Sequence, residues 1–286
     1  MRRFCARNLP NLTADVVPAG RGREARPERR WERASYGELY QHDSTPRHIW
    51  GPPDRRQSII LSVDDATRRI MAYRVCERET LLEHFAMLED SFLAHGLPEC
   101  LYTDGFTMFG REGDDLKSQF GRMCRAFDIQ HRIAPTPQAK GKAERSMRTF
   151  QHRLAVVLRA EGVDSEDRAD GVARRHFDYW NARHVNDEIG ATPDQRAAEL
   201  TREGRCVLRP AGDPRLLRLF LSRQMPVKVE GFCRINYNGH SWPISSTFME
   251  TVWLAIRPRG KGFYVLETRP DPRTRTIPRI LAKHQF

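Results

Sequence analysis

Two spacings of apolar residues alternate along the first two thirds of the chain. Runs in which consecutive or alternate positions are apolar predict β-strands, and apolar residues three and four positions apart predict helices. The predicted strands cover residues 37–43, 58–63, 69–75, 99–104 and 129–133. The predicted helices begin near residues 80, 116, 144 and 166. The resulting order, β-β-β-α-β-α-β-α-α, is typical of an α/β fold with a mixed five-stranded sheet and helices on both faces.

The pattern changes beyond residue 200. Short alternating or apolar segments follow one another closely, and Asn238-Gly239 between two of them is a strong signal for a two-residue hairpin. Such closely spaced strands predict a small all-β barrel. We therefore divide the chain into a basic, disordered arm (1–36), an α/β core (37–200), a linker (201–224), a small β-barrel (225–268) and a basic tail (269–286).

Charge and cysteine content narrow the function class. The 286 residues include 48 Lys and Arg against 37 Asp and Glu, a net charge of +11. Such a surplus favours a polyanionic partner, most often nucleic acid, although a merely basic surface stays open. No apolar run is long enough for a membrane span, and no apolar segment of a secretory signal is present. The six cysteines form no Cys-x-x-Cys pair, which favours reduced thiols in the cytosol over a structural zinc.

Three carboxylates lie at positions where α/β sheets commonly bind ligands. Asp43 and Asp104 end two predicted strands, and Glu144 opens a predicted helix behind a loop rich in Pro, Gly and Lys. Ligands of α/β sheets gather beyond strand ends, and oxygen ligands suit hard divalent cations such as Mg²⁺. A site of converging carboxylates is therefore expected to depend on metal. The alternative is that Glu144 is an incidental acid on a basic surface helix, because 37 acidic residues offer many such triples.

The loop and helix around Glu144 are also candidates for phosphate contact. Their basic side chains would neutralise a DNA backbone, and a glycine there lets the chain approach it closely. A solvated basic face is the alternative. The candidate DNA-binding residues are Gln138, Lys140, Gly141, Lys142, Arg145 and Arg148.

Several motifs between residues 36 and 200 resemble the catalytic core of DDE transposases and retroviral-type integrases, most of all bacterial insertion-sequence transposases. The most specific one is Pro137-Gln138-x-Lys140-Gly141-x-x-Glu144. The segments that carry the resemblance are 41–44, 63–67, 96–98, 102–104, 134–145, 179–183 and 192–193. The resemblance covers more than half of the chain.

This resemblance implies a ribonuclease-H-like core and an SH3-like fold for the small barrel. It implies that Asp43, Asp104 and Glu144 are catalytic and bind two Mg²⁺ ions, for which Mn²⁺ can substitute. It further implies a homo-oligomer on DNA that cuts transposon ends and joins them to target DNA. The expected location is the prokaryotic cytoplasm, at the nucleoid.

One departure from the family keeps other functions open. Such transposases usually carry an N-terminal helix-turn-helix, and no pattern of that kind precedes the core here. A truncated or domesticated DNA-binding protein without catalysis is therefore one alternative. A ribonuclease-H-like nuclease acting on RNA–DNA hybrids is another.

Several further polar residues have structural interpretations. Asp64 and Asp65 fit the chemistry of a turn between two strands. Alternation along the first strand places His42 on the face opposite Asp43, which favours packing over metal binding. His131 and His184 are expected to be surface or hydrogen-bonded histidines.

Overall fold

The computed structural model describes residues 33–110, 116–134, 141–245, 247 and 249–286, with the backbone only at 107 and 141–148. Its centre is a mixed sheet of five strands in the spatial order β3-β2-β1-β4-β5. Strands β1 to β3 form an antiparallel meander, whereas β4 pairs in parallel with both β1 and β5. The strands are β1 Tyr40–Arg47, β2 Gln57–Asp64, β3 Ile70–Cys76, β4 Cys100–Thr103 and β5 Gln130–Ile133.

Helices cover both faces of this sheet, as the sequence predicts. They are α1 Leu81–His95, α2 Gln119–Ala126, α3 Gly141–Ala160, α4 Glu166–Arg183, α5 Pro193–Arg202 and α6 Pro214–Phe220, with a 3-10 turn at Thr107–Phe109. One core cluster packs α1, α2, α5 and α6 against one face, and a second packs α3 and α4 against the other. Every residue of β2 is buried, which explains its continuous apolar run. None of the described helices is long and apolar enough to cross a membrane.

The first strand differs from its prediction. The predicted strand ends at Asp43, but β1 begins at Tyr40 and continues to Arg47. Antiparallel pairing with β2 persists over the whole of β1 and sets Asp43 opposite Leu61. The pairing partner therefore extends the strand through polar residues whose own pattern ends it earlier.

A second sheet follows the core. Its order is β11-β10-β9-β6-β7-β8, and the predicted Asn238-Gly239 turn joins β7 to β8 with positive φ at both residues. The backbone N–H of Ser245 donates to the carbonyl of Leu281 at 3.0 Å, so the two ends of the sheet approach each other. Among the described residues β8 and β11 do not pair as strands, so the sheet is a half-barrel and the predicted closed barrel is not confirmed. The strands are β6 Arg223–Glu230, β7 Arg234–Tyr237, β8 His240–Pro243, β9 Thr251–Ile256, β10 Phe263–Leu266 and β11 Ile280–His284.

The elements cross the predicted domain limits. The segment interpreted as a tail contributes β11 to the second sheet, and the segment interpreted as a linker contributes α6 to the core. Most of the predicted arm, residues 1–36, lies outside the described residues. The division into domains therefore stays a prediction.

Candidate active site

The parallel pairing of β1 with β4 sets the level of two of the three candidate carboxylates. Tyr40 pairs with Leu101 and Gln41 with Tyr102, so partners differ by 61 in residue number. The same register carried two residues further sets Asp43 opposite Asp104. Neighbouring strands lie about 4.8 Å apart, so the two backbones are close at this level.

Asp104, predicted as the last residue of its strand, directly follows β4. Its side chain is exposed, and its Oδ1 accepts a hydrogen bond from the backbone N–H of Phe106 at 3.1 Å. This bond forms the turn that ends the strand. Beneath it, the Oγ1 of buried Thr103 lies 2.9 Å from the Nε2 of His131 on β5, so His131 is a buried, hydrogen-bonded histidine.

Asp43 lies in the middle of β1, on the face covered by α3. Tyr40 and His42 are buried on the opposite face. On the face of Asp43, the Thr45 hydroxyl donates to the Oε1 of Gln151 on α3 at 2.5 Å. Gln151 is 1% exposed, so this contact lies inside the packed layer between strand and helix.

Two contacts show that α3 runs along β1 in the same direction. Gln151 meets Thr45, and further along the Nη1 of Arg159 donates to the carbonyl of His48 at 3.0 Å. Position 144 lies seven residues before Gln151, which is about 10 Å back along the helix and on nearly the same face. Asp43 lies two residues before Thr45, about 7 Å back along the strand. The backbone at position 144 is thus near the level of Asp43.

The chain between β5 and α3 begins beside Asp104. The backbone N–H of Ala134 donates to the carbonyl of Thr103 at 2.9 Å. Gln138 and Lys140 lie outside the described residues, and Gly141 is the first residue of α3. The side chains of Glu144 and of the candidate contacts Lys142, Arg145 and Arg148 also lie outside the described part.

The donors at this edge fit a hard cation, because carboxylate oxygens are what Mg²⁺ and Mn²⁺ prefer. Among the described residues, no group of three or more His, Cys, Asp or Glu side chains is arranged to hold a metal ion. The Glu144 side chain is not among those residues. The described cysteines are free thiols, and Cys76, Cys100 and Cys124 are buried.

Asp64 and Asp65 serve the β2–β3 turn, as their sequence predicts. Asp64 is fully buried and accepts from the backbone N–H of Gly37 at 2.8 Å and from both the N–H and the hydroxyl of Thr67. Burial raises the pKa of Asp64 to about 6, although these hydrogen bonds act in the opposite direction. Asp65 accepts from the Nε2 of Gln41 and pairs with Arg68 at 3.1 Å. Both carboxylates are therefore engaged within the fold.

Sequence reasoning missed a buried polar chain behind Asp43. His42 is fully buried, and its Nε2 lies 2.7 Å from the Nδ1 of His84 on α1. The Nε2 of His84 lies 3.1 Å from the Oε1 of Glu79. A signal was available, because His84 falls within the apolar stripe formed by Leu81, Phe85 and Leu88. A histidine on such a stripe needs a buried partner.

Comparison with known proteins identifies sequence relatives of the chain. The putative transposase y4bF of Sinorhizobium fredii is 35% identical over 161 residues, which are 53% of this chain and 34% of that protein. The transposase for insertion sequence IS1202 of Streptococcus pneumoniae is 31% identical over 157 residues, 52% of this chain and 33% of that protein. Over about half of its length, the chain is related to insertion-sequence transposases. It spans about a third of the length of these relatives. No protein-family model matches the chain.

Comparison with solved structures bears on the fold, which is shown by the alignment with a TM-score of 0.50. The intasome of simian T-cell lymphotropic virus, in complex with PP2A regulatory subunit B56 gamma, aligns with a TM-score of 0.50 at 16% identity, over 82% of this chain and 73% of that chain. The HTLV-2 integrase catalytic core domain in complex with magnesium gives a TM-score of 0.44 at 18% identity, over 56% of this chain and 96% of that chain. The mixed α/β core of this transposase relative thus has an integrase-like fold.

Proposed function

We propose that this chain is the catalytic part of a DNA transposase, a polynucleotidyl transferase that cuts the ends of a mobile element and joins them to target DNA. The observation that carries the proposal is the β1–β4 register, which sets Asp43 opposite Asp104 while α3 packs on the same face as Asp43. Its sequence relatives are transposases, and its fold is that of an integrase.

In this proposal Asp43, Asp104 and Glu144 hold the divalent metal, Mg²⁺ or Mn²⁺. Two bound cations supply charge stabilisation at the phosphoryl oxygens and make the attacking oxygen more nucleophilic. Asp43 lies within β1, Asp104 directly follows the adjacent parallel strand β4, and Glu144 belongs to α3, whose Gln151 contacts Thr45 on β1. Two strands and a helix therefore anchor the backbone of the proposed ligands.

Each step breaks one phosphorus–oxygen bond and forms another. In end cleavage, a water molecule loses a proton and its oxygen bonds to phosphorus while the bond from phosphorus to a 3′-oxygen breaks, and that 3′-oxygen takes up a proton. In strand transfer, the freed 3′-hydroxyl loses its proton and bonds to a target phosphorus, and a target 3′-oxygen leaves and takes up a proton. One bond replaces another in the second step, so joining needs no nucleotide cofactor.

DNA binding follows from charge. With a net charge of +11, the chain is expected to bind DNA with an affinity that falls steeply with salt. The proposed contacts along the loop and the start of α3 are Gln138, Lys140, Gly141, Lys142, Arg145 and Arg148. Replacing one of the four cations by alanine is expected to reduce the salt slope by about 1.

The proposal extends to assembly and to the second sheet. Two element ends must be joined in one event, so the active form is a homo-oligomer on DNA. The half-barrel of β6 to β11, whose ends are linked by the Ser245–Leu281 hydrogen bond, supports an SH3-like fold for this part.

The decisive experiment is plasmid nicking and oligonucleotide joining with Mg²⁺ or Mn²⁺. Asp43→Asn, Asp104→Asn and Glu144→Gln are each expected to reduce joining by at least about a hundredfold. Asp54→Asn is the matched control, because Asp54 is an exposed acid in the turn between β1 and β2. It is expected to leave joining unchanged.

Other outcomes separate the alternatives. Full activity in all three site variants contradicts the assignment of the triad. Salt-sensitive DNA binding without metal-dependent cutting identifies a DNA-binding protein without catalysis. Cleavage of RNA–DNA hybrids without joining identifies a nuclease.

A further inference from the structure

A continuous chain of hydrogen bonds crosses the buried layer between β2, β1 and the start of α1. Ser62 Oγ lies 2.8 Å from His42 Nδ1, His42 Nε2 lies 2.7 Å from His84 Nδ1, and His84 Nε2 lies 3.1 Å from Glu79 Oε1. The side chains of Ser62, His42 and His84 are completely buried. Such a chain is costly to leave incomplete, because each buried polar atom then loses its partner.

The carboxylate at one end fixes the donor of the last contact. Glu79 only accepts hydrogen bonds when ionised, so the Nε2 of His84 carries a proton and donates. In the contacts of His42 with His84 and with Ser62, one atom donates and the other accepts according to the tautomers of the two rings. Every ring nitrogen of His42 and His84 thus has a hydrogen-bond partner, and these partners hold both imidazoles in place.

The hydrogen-bond chain also connects Glu79 to β1. Burial acts to raise the pKa of Glu79, but its interactions with His84 and Ser44 outweigh burial, and the pKa is lowered. Glu79 reaches His42 through His84. His42 precedes Asp43 in the strand and points to the opposite face. The backbone beside Asp43 is therefore held from behind through His42.

We infer that His84 and Glu79 are positioning residues that hold Asp43 at the level where it binds metal. This inference rests on the proposed function. In this inference the two residues act through His42 rather than by contacting metal or DNA themselves. Partners that orient metal ligands typically change metal affinity by about 10- to 100-fold when they are removed.

The test measures Mn²⁺ binding by the full chain, using the electron paramagnetic resonance signal of free Mn²⁺. Asp43→Asn defines the loss of the site. His84→Ala and Glu79→Ala are each expected to weaken Asp43-dependent Mn²⁺ binding by about tenfold. Glu79→Gln keeps an oxygen acceptor for His84 and is expected to restore binding to within about threefold of wild type.

A control separates positioning from loss of stability. Phe92→Leu changes another fully buried side chain of α1 that lies outside the hydrogen-bond chain. It is expected to lower the melting temperature without changing Mn²⁺ binding. In joining assays, the Glu79→Ala variant is expected to need about tenfold more Mn²⁺ for half-maximal rate while reaching a similar maximum. Because Glu79 is partly exposed, the Glu79→Ala variant is expected to fold even if His84→Ala does not.

The outcomes distinguish the two proposals. Asp43-dependent Mn²⁺ binding that is equal in wild type, His84→Ala and Glu79→Ala overturns the positioning role and leaves the transposase proposal intact. A Glu79→Gln variant as weak as Glu79→Ala also overturns the role, because the acceptor oxygen alone then does not matter. Mn²⁺ binding that does not depend on Asp43 in the wild type overturns both.

Discussion

Replacing Glu89 by alanine is expected to destabilise the protein by about 3–5 kcal/mol, because the change leaves a buried arginine without its carboxylate. Glu89 on α1 lies 3.2 Å from the Nη2 of Arg257, which directly follows β9. Their side chains are only 6% and 9% exposed. The pair joins the α/β core to the second sheet, so it tests whether the two form a single folding unit.

The magnitude follows from separation and burial. Two unit charges 3.2 Å apart attract by about 5 kcal/mol at an effective dielectric constant of about 20. Desolvation offsets much of this gain while both partners are present, but removing one partner leaves the penalty of the other. Arg257→Ala is expected to cost less, about 2–3 kcal/mol, because Glu89 keeps Arg218 at 3.9 Å.

Urea denaturation followed by tryptophan fluorescence measures these changes, since Trp253 lies in the second sheet and Trp180 in the core. The double variant Glu89→Met/Arg257→Met is expected to recover most of the loss, because it removes both buried charges. Asp90→Ala is the matched control, because its pair with Arg259 is exposed and contributes less than about 1 kcal/mol.

Two results would refute this reasoning. One is a loss below about 1 kcal/mol in both single variants, which would mean that solvent reaches the pair. The other is strict additivity of the single variants Glu89→Met and Arg257→Met in the double variant Glu89→Met/Arg257→Met, which would mean that the two charges do not interact.

Three further predictions concern the same structure. Thr45→Val leaves Oε1 of buried Gln151 without its donor, so we expect about 1–3 kcal/mol lower stability in urea and slower joining as α3 loses its position. Burial lowers the pKa of His95 to about 4, so the folded state favours its neutral form. The free energy of unfolding therefore falls by about 2–3 kcal/mol, after allowance for solvent screening, as the pH is lowered from 6.5 towards 4. His95→Gln should make the free energy of unfolding less dependent on pH in this range. Gly96→Ala is expected to cost more than about 2 kcal/mol, because φ is +93° and a Cβ would lie 2.5 Å from the Arg209 carbonyl oxygen.

The first and third of these predictions have control variants. Thr201→Val removes a hydroxyl that donates to a carbonyl one turn back at an exposed position of α5, and it should cost less than Thr45→Val. Gly190→Ala has a positive φ of +63° but no neighbour within 4 Å, so it isolates backbone strain from steric overlap. Equal losses in the two glycine variants would contradict the steric argument. An unchanged acid limb in His95→Gln would contradict the assigned pKa.

Local spacing was enough to determine the order of the elements. The helix predicted to begin near residue 166 is α4 Glu166–Arg183, because its apolar stripe and its start are short-range features. Asn238-Gly239 forms the predicted hairpin turn, because both residues adopt positive φ readily. The strand β4 ends within one residue of its predicted end at Asp104, because it ends where its own apolar run ends.

Tertiary structure decided the features that depend on residues distant in the sequence. Asp43 lies inside β1 rather than at its end, because pairing with β2 continues to Arg47. His42 contacts His84 across 42 residues of sequence. Strand β11 pairs with β10, although the predicted barrel ended before β11. No periodicity within a segment encodes which other segment packs against it. The sequence alone therefore indicated which carboxylates to consider, and the pairing of strand with strand decided where the backbones of Asp43 and Asp104 lie.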